Sequence, residues 1–378
     1  MGKIMVVTGE TSGDMHAARV IREIKNIEPD INVYGMGSDC LRNEGVDILI
    51  DPTDISTIGF VEAFKNLTKH LGNLKLLKDS IDRENPDVIF LVDNSAFNMV
   101  MARIACKKGV PAVNYFSPSA WVWGEWRARW MARYNAVIAS VFPMEAEVYE
   151  KSGADVVFVG HPLLDMVKID KSYDEIYEEF DLNPEYRVIG LLPGSRKQEI
   201  DTLLPEMLKA AERLQENYPE YQFVLPVAGG IDCEIIREKA TKYNLLIKIV
   251  QGKSYEVMKI SDLLIAASGT ATLEAAIIGT PVVIVYQVSQ FSYTLGKRLI
   301  KTEYIGLPNI IAGREIVPEL LQDKANEDEI YLNVISILNK PDEINDIKQE
   351  LNQVEKKLGS PGAVRRTAEL VLKRGGLI

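Results

Sequence analysis

Cysteine is nearly absent: Cys40, Cys106 and Cys233 are the only three in 378 residues. They are widely spaced and form no C-x-x-C pair, which speaks against a disulfide framework or a thiolate zinc site and fits a reducing compartment. Histidine is as scarce. His16, His70 and His161 are scattered and no apolar-flanked Asp-x-Asp pair stands beside them, so neither a metal centre nor a cofactor is expected. Basic charge is in deficit as well: 43 Lys and Arg against 54 Asp and Glu leave a net charge of -11, the wrong sign for a nucleic-acid partner. Long apolar runs are missing too. Ala275 to Val285 is split by Gly279-Thr280-Pro281 and falls short of the roughly 20 residues a bilayer span needs. The chain opens on a core-like run, Lys3–Thr8, and not on a basic, apolar leader. A cytoplasmic protein is therefore expected, one that touches a membrane only from outside.

What is present is an alternation. Short β-rich apolar runs at Lys3–Thr8, Val33–Gly35, Val88–Asp93, Ala112–Phe116, Ala136–Ser140 and Val156–Val159 are separated by helical stretches. A second set follows at Val188–Leu192, Gln222–Pro226, Ile247–Val250, Leu263–Ala267 and Val282–Tyr286. Continuous apolar strands between helices predict parallel sheets covered on both faces. The length suffices for two such domains, and Gly160-His161-Pro162-Leu163-Leu164-Asp165, before the charged helical piece Tyr173–Phe180, predicts the hinge. The expected fold class is α/β: two doubly wound, Rossmann-like domains facing across a cleft, residues 1–162 and 163–345, with ligands at the carboxyl ends of the strands.

Several strand ends carry polar chemistry. Leu263–Ala267 runs into Ser268-Gly269-Thr270 and then a helix to Ile278. The free N–H groups of that helix start favour a phosphate or pyrophosphate, with Glu274 one turn in and within reach of a ribose; an ordinary βαβ corner capped by Ser268 or Thr270 is the plainer alternative. Gly190-Leu-Leu-Pro-Gly-Ser195-Arg196 repeats the pattern, and the Arg196 guanidinium suits pyrophosphate oxygens. Strand one enters Thr8-Gly9-Glu10-Thr11-Ser12-Gly13-Asp14, which is not G-x-G-x-x-G, so the dinucleotide fingerprint fails. There Ser12 and Asp14 read first as caps. Val88–Val92 ends in Asp93-Asn94-Ser95-Ala96-Phe97-Asn98, where Asp93 is either a general base or a helix cap. A helix over Phe60–Lys78 carries Leu67, Leu71 and Leu74 with Lys65, Lys69, Lys75 and Lys78, fitting a membrane-facing surface or the solvated side of a core helix. All four tryptophans, Trp121, Trp123, Trp126 and Trp130, lie within ten residues among Arg127, Arg129 and Arg133. Aromatic bodies beside guanidinium groups suit contact with acyl chains and phosphates.

Taken together these motifs resemble the lipid-A-disaccharide synthases, glycosyltransferases of the two-domain GT-B architecture. The resemblance covers nearly the whole chain through Gly9–Asp14, Asp93…Phe97-Asn98, Ser117-Pro-Ser119-Ala-Trp121-Val-Trp123, Val159–Leu163, Leu192–Arg196, Ser268–Glu274 and Leu307-Pro-Asn309-Ile-Ile-Ala-Gly-Arg-Glu315. It implies inverting transfer of a 2,3-diacylglucosamine unit from its UDP derivative to 2,3-diacylglucosamine 1-phosphate, giving the β-1,6 disaccharide 1-phosphate and UDP at the inner face of the inner membrane. On this resemblance Asp93 is the base, with Glu10 on the same floor. Ser12, Asn98, Ser117, Ser119, Trp121, Trp123 and Trp126 serve the lipid acceptor, while Ser195, Arg196, Ser268, Gly269, Thr270, Glu274 and Asn309 serve the UDP donor. No metal is implied, the last helices in 346–378 are expected to pack back on the first domain, and the oligomeric state stays open, a homodimer included. One position departs from the family: Ala96 stands where a second carboxylate is common, which bears on acceptor binding and leaves Asp93 in place. Two rivals share parts of this picture, a UDP-N-acetylglucosamine 2-epimerase and a non-catalytic sugar-nucleotide-binding protein docked on a membrane.

Overall fold

The computed structural model describes residues 2–52, 60–134, 136–288 and 302–378, with the backbone alone over 60–68. The chain divides into two units, residues 1–165 with 358–378, and residues 166–357. The first is built on a parallel sheet of β1 (Lys3–Thr8), β2 (Asn32–Met36), β3 (Asp47–Ile50), β4 (Val88–Val92), β5 (Ala112–Tyr115), β6 (Ala136–Ser140) and β7 (Val156–Phe158), in the order β3-β2-β1-β4-β5-β6-β7. The second sheet, also parallel, holds β8 (Arg187–Leu192), β9 (Tyr221–Val227), β10 (Ile247–Gln251), β11 (Leu263–Ala267), β12 (Val282–Tyr286) and β13 (Glu319–Leu321), ordered β10-β9-β8-β11-β12-β13. Both orders reverse once, between β1 and β4 and between β8 and β11. Such switch points are where open α/β sheets bind ligands.

The apolar runs form strands because helices bury both faces. Every residue of β4 is fully buried, and alternate residues of β1 point opposite ways. Ile4 and Val6 join a core under the helices Thr11–Ile27 and Ala363–Arg374, whereas Met5 and Val7 join one that takes in residues of the helices Ser95–Lys108 and Trp126–Arg133. Two strands escape the sequence pattern, β3 and β13, because short edge strands need no continuous apolar run.

The unit boundaries fall at 165/166 and 357/358, where the sequence placed them at 162/163 and 345/346. Asp165 stays with the first unit because its carboxylate accepts the N–H groups of Gly362 and of Val364 (3.1 Å), capping the last helix. Arg366 ties the same region down by donating from Nε to the Val159 carbonyl at 2.8 Å. The helix Pro341–Lys357 remains with the second unit. It buries Ile347, Leu351 and Val354, and Lys357 Nζ donates to the Ile311 carbonyl at 3.0 Å. Of the two terminal helices, Ala363–Arg374 belongs to the first unit and packs on the helix Thr11–Ile27. The basic helix of the first unit spans Phe60–Glu84; Leu77 and Ile81 are buried and Leu74 packs partly against the core, whereas Leu71 is exposed, and the side chains of Lys65 and Leu67 lie outside the described residues.

Candidate active site

At the β1/β4 switch point, register sets Thr8 beside Val92, so Gly9 and Asp93 leave the sheet side by side. Asp93 adopts φ +42°, a left-handed conformation that costs a non-glycine residue energy and recurs at functional sites. Its N–H donates to the Tyr115 carbonyl at 3.2 Å, and its half-exposed carboxylate turns to the start of the helix Thr11–Ile27, where the Ser12 hydroxyl donates to Oδ2 at 2.9 Å. The unpaired N–H groups and dipole of a helix start favour a negative charge there. Gly13 makes the approach possible, since a Cβ at this position would lie 3.1 Å from that of Asp93. Glu10 is exposed at the head of the same helix.

Two polar residues of these motifs do structural work instead. Asp14 is fully buried and accepts the N–H groups of Ser38 (2.7 Å) and Cys40 (2.9 Å), capping the short helix Asp39–Asn43. Asn98, expected to orient the acceptor, is 1% exposed. With its amide oxygen toward the N–H groups of Val92 and Asn94, 3.3 Å from each, it braces the turn that carries Asp93.

The segment after β5 begins two residues past Tyr115. Ser117 is buried and Ser119 exposed, Trp121 lies edge-on to Phe142 at 6.0 Å, and Trp123 and Trp126 are 44% and 52% exposed. Arg127 holds the segment from within: its guanidinium donates to the Ser119 carbonyl at 3.1 Å and to that of Trp123, and stacks 3.9 Å over the Trp123 ring. Burial pulls the pKa of Arg127 down from its ordinary value. Trp130 donates to the Met99 carbonyl at 3.0 Å and belongs to the packing.

In the second unit a cavity of about 380 Å³ opens at the β8/β11 switch point, and Ser195, Arg196, Ser268, Gly269, Thr270 and Glu274 all line it. Ser268-Gly269-Thr270 leads into the helix Thr270–Ile278, whose first N–H groups have no intrahelical partner. Gly194 has φ +108°, and a Cβ there would meet the Glu199 carboxylate at 2.3 Å. Glu199 in turn accepts the Ser195 N–H at 3.2 Å and pairs with the Arg196 guanidinium at 2.8 Å. The Glu274 carboxylate is partly buried, which raises its pKa, while the Tyr255 hydroxyl, 2.9 Å away, opposes the rise by donating to it. Asn309, expected at the donor, does not line this cavity. It is fully buried and its amide is spent on the chain: Nδ2 donates to Val317 O (2.9 Å) and Glu319 (2.8 Å), and Oδ1 accepts from Ile316 (2.8 Å) and Val317 (3.1 Å). Among the described residues no group of three or more His, Cys, Asp or Glu could hold a metal ion, and no helix is long and apolar enough to cross a membrane.

Sequence reasoning missed Pro226, Ser254 and Met258 on the cavity wall, and Glu145 and Tyr149 behind the tryptophan segment. A carboxylate straight after a strand, in Phe142-Pro143-Met144-Glu145, was the signal for Glu145.

Two doubly wound parallel-sheet units in one chain, each with polar turns at its switch point, define the GT-B glycosyltransferase fold. Solved structures with this fold align along nearly the whole chain. MurG from Acinetobacter baumannii is 14% identical with a TM-score of 0.61, covering 99% of this chain and 100% of its own. The S. aureus MnaA–UDP co-structure is 14% identical with a TM-score of 0.66, covering 100% and 98%. The family model for lipid-A-disaccharide synthetase matches residues 4–373. The lipid-A-disaccharide synthase of Syntrophus aciditrophicus is 39% identical over 370 residues, 98% of this chain and 97% of that protein. That of Geobacter sulfurreducens is 39% identical over 374 residues, 99% and 97%. The chain belongs to the lipid-A-disaccharide synthase family and is thus a glycosyltransferase.

Proposed function

We propose that the enzyme moves a 2,3-diacylglucosamine unit from its UDP derivative to the 6-hydroxyl of 2,3-diacylglucosamine 1-phosphate, with inversion at the anomeric carbon and without a metal ion. The observation that carries this reading is the single cavity lined by Ser195, Arg196, Ser268, Gly269, Thr270 and Glu274. Backbone N–H groups at the Thr270 helix start and the Arg196 guanidinium take the diphosphate charge as UDP leaves, and Glu274 accepts from the ribose. Asp93, oriented by Ser12, takes the proton of the acceptor hydroxyl, whose oxygen attacks the anomeric carbon on the face opposite UDP. One displacement of this kind inverts the centre.

The acyl chains and the membrane surface fall to the first unit. Leu71, Leu76, Val100, Trp123 and Trp126 are exposed there, at 58%, 46%, 38%, 44% and 52%, with Lys69, Lys75 and Lys78 exposed on the same helix as the two leucines. This composition supports peripheral attachment to anionic lipid at the inner face of the inner membrane. The decisive experiment mixes both acylated glucosamine substrates with the protein, with and without a chelator, and measures UDP and disaccharide. Equal formation of both in the two arms is the expected result. Epimerisation of UDP-N-acetylglucosamine without disaccharide, or binding of donor without turnover, would overturn the reading.

A further inference from the structure

Behind the tryptophan segment lies a buried acid that the chemistry above does not use. Glu145 sits in the first turn of the helix Pro143–Lys151, which follows β6, and is 2% exposed. Its Oε2 accepts the Val141 N–H at 2.9 Å and lies 2.9 Å from Ser140 Oγ; the N–H groups of Phe142 and Ser117 also face the carboxyl. Ser117 begins the acceptor segment, so this one side chain joins the turn after β6 to the turn after its neighbour β5. One turn further along the same helix, the Tyr149 hydroxyl donates to the Pro118 carbonyl at 2.9 Å.

The hydrogen count at this junction is informative. The Ser140 hydroxyl lies 2.8 Å from the Phe142 carbonyl and 2.9 Å from Glu145 Oε2, two acceptors for one proton. If Glu145 carries a proton of its own, it donates to Ser140 Oγ, Ser140 donates to Phe142, and every group is satisfied. If Glu145 is ionised, Ser140 must turn to it, and the Phe142 carbonyl loses that partner. The carbonyl keeps the Ala146 N–H at 3.1 Å, so ionisation takes one of its two partners and adds the cost of a buried charge.

We propose that Glu145 is a positioning residue for the acceptor segment Ser117–Trp126, a buried acid whose protonated form completes the Ser140–Phe142 relay and fixes the presentation of Trp121 and Trp123. Its effect on catalysis rests on the acceptor role proposed above; its effect on conformation does not. Burial pushes the carboxyl up to about 7 against the pull of the surrounding N–H groups, so the relay opens within the ordinary working range. The titratable groups facing it are Tyr149 on its own helix and Tyr115 on β5, both raised by burial and neutral there; Arg127 approaches Tyr149, and His161 packs on the Phe142 ring at 4.8 Å.

The four tryptophans all fall between residues 121 and 130, so intrinsic emission reports on this segment alone. In the wild-type protein, tryptophan emission is expected to shift to the red as pH rises from 6 to 8, with the acceptor KM rising several-fold and kcat and UDP affinity unchanged. Glu145→Gln abolishes the emission transition, and Ser140→Ala moves its midpoint. Glu145→Ala raises the acceptor KM about tenfold, the size that one or two lost hydrogen bonds give, with calorimetric UDP binding intact as proof of folding. A transition that persists in Glu145→Gln, or that disappears in His70→Asn instead, overturns the proposal, as does an emission spectrum constant over this range. An inactive wild-type protein that still shows the Glu145-dependent transition would refute the glycosyl-transfer chemistry and leave the positioning role standing.

Discussion

The two switch points share one topology and carry opposite chemistry. At β1/β4 the strand ends in a carboxylate held in a left-handed backbone conformation and steadied by Ser12; at β8/β11 it ends in Ser268-Gly269-Thr270, uncharged, at the start of a helix. The first site offers a proton acceptor and the second a cradle for negative charge. The acids near the cradle are occupied, Glu199 by Arg196 and the Ser195 N–H, Glu274 by Tyr255. The units also differ in composition, since all three histidines and all four tryptophans belong to the first. On the function proposed above, a duplicated architecture assigns proton transfer and aromatic contact to one half and anion binding to the other.

The largest expected effect breaks the first half of this division. Asp93→Asn keeps a residue that tolerates positive φ and removes the proposed base. Turnover should fall by roughly 10² to 10⁴, while the thermal midpoint and UDP affinity stay near wild type. Steady-state kinetics beside calorimetry checks this, and near-normal turnover would take Asp93 out of the mechanism.

The second effect is on stability, and it separates the units by acid. His16 stacks on Phe116 at 4.4 Å, its Nδ1 is buried with no partner among the described residues, and burial together with Arg19 lowers its pKa to about 4. His161 is lowered to about 3, chiefly by burial. An unfolded histidine titrates near 6.5, so below that pH the unfolded chain binds protons that the folded unit refuses. Stability is therefore full above about 6.5 and drains as pH falls toward 4 for His16 and toward 3 for His161, by at most roughly 3 kcal/mol for the first and roughly 5 kcal/mol for the second. Denaturation followed by tryptophan emission, which sees only the first unit, should show this loss. His16→Phe should remove part of it, and an unchanged pH profile would discount the buried histidine.

Much of this was legible in the sequence, for a physical reason. Parallel strands buried on both faces require continuous apolar runs, and β1, β4, β8 and β11, the four that frame the switch points, are such runs. The polar turns after them stood out by contrast, so Ser12, Asp93, Arg196 and Ser268 could be picked from one chain. What a residue does inside a turn was not legible. Asn98 and Asn309 look like ligand residues by type, yet both are buried and used on backbone groups, because their partners come from turns and chain segments whose approach no local pattern announces. Glu145 was hidden for the same reason: its partner Ser117 is 28 residues away and meets it only once β5 and β6 pair.

A third test sharpens the anion-binding half. Arg196→Ala should weaken UDP by about tenfold, since hydrogen bonds to charged groups are worth ~1.5–3 kcal/mol and part of this is already spent on Glu199. Donor KM and UDP calorimetry should move together while the acceptor KM stays fixed. A change confined to the acceptor would place Arg196 on the wrong substrate.

The smallest effect probes how the base is aimed. Ser12 donates a single hydrogen bond to Asp93 from an exposed position, and such a bond is worth about 1 kcal/mol, so Ser12→Ala should slow turnover by only about five- to tenfold. The loss should vanish in the Asp93→Asn background, because an orienting hydroxyl has nothing to act on once the base is gone. In a double-mutant cycle the two changes then couple by nearly the whole Ser12 effect. Independent, additive losses would mean that Ser12 touches substrate by itself, and that the carboxylate is held by its strained backbone and the helix start alone.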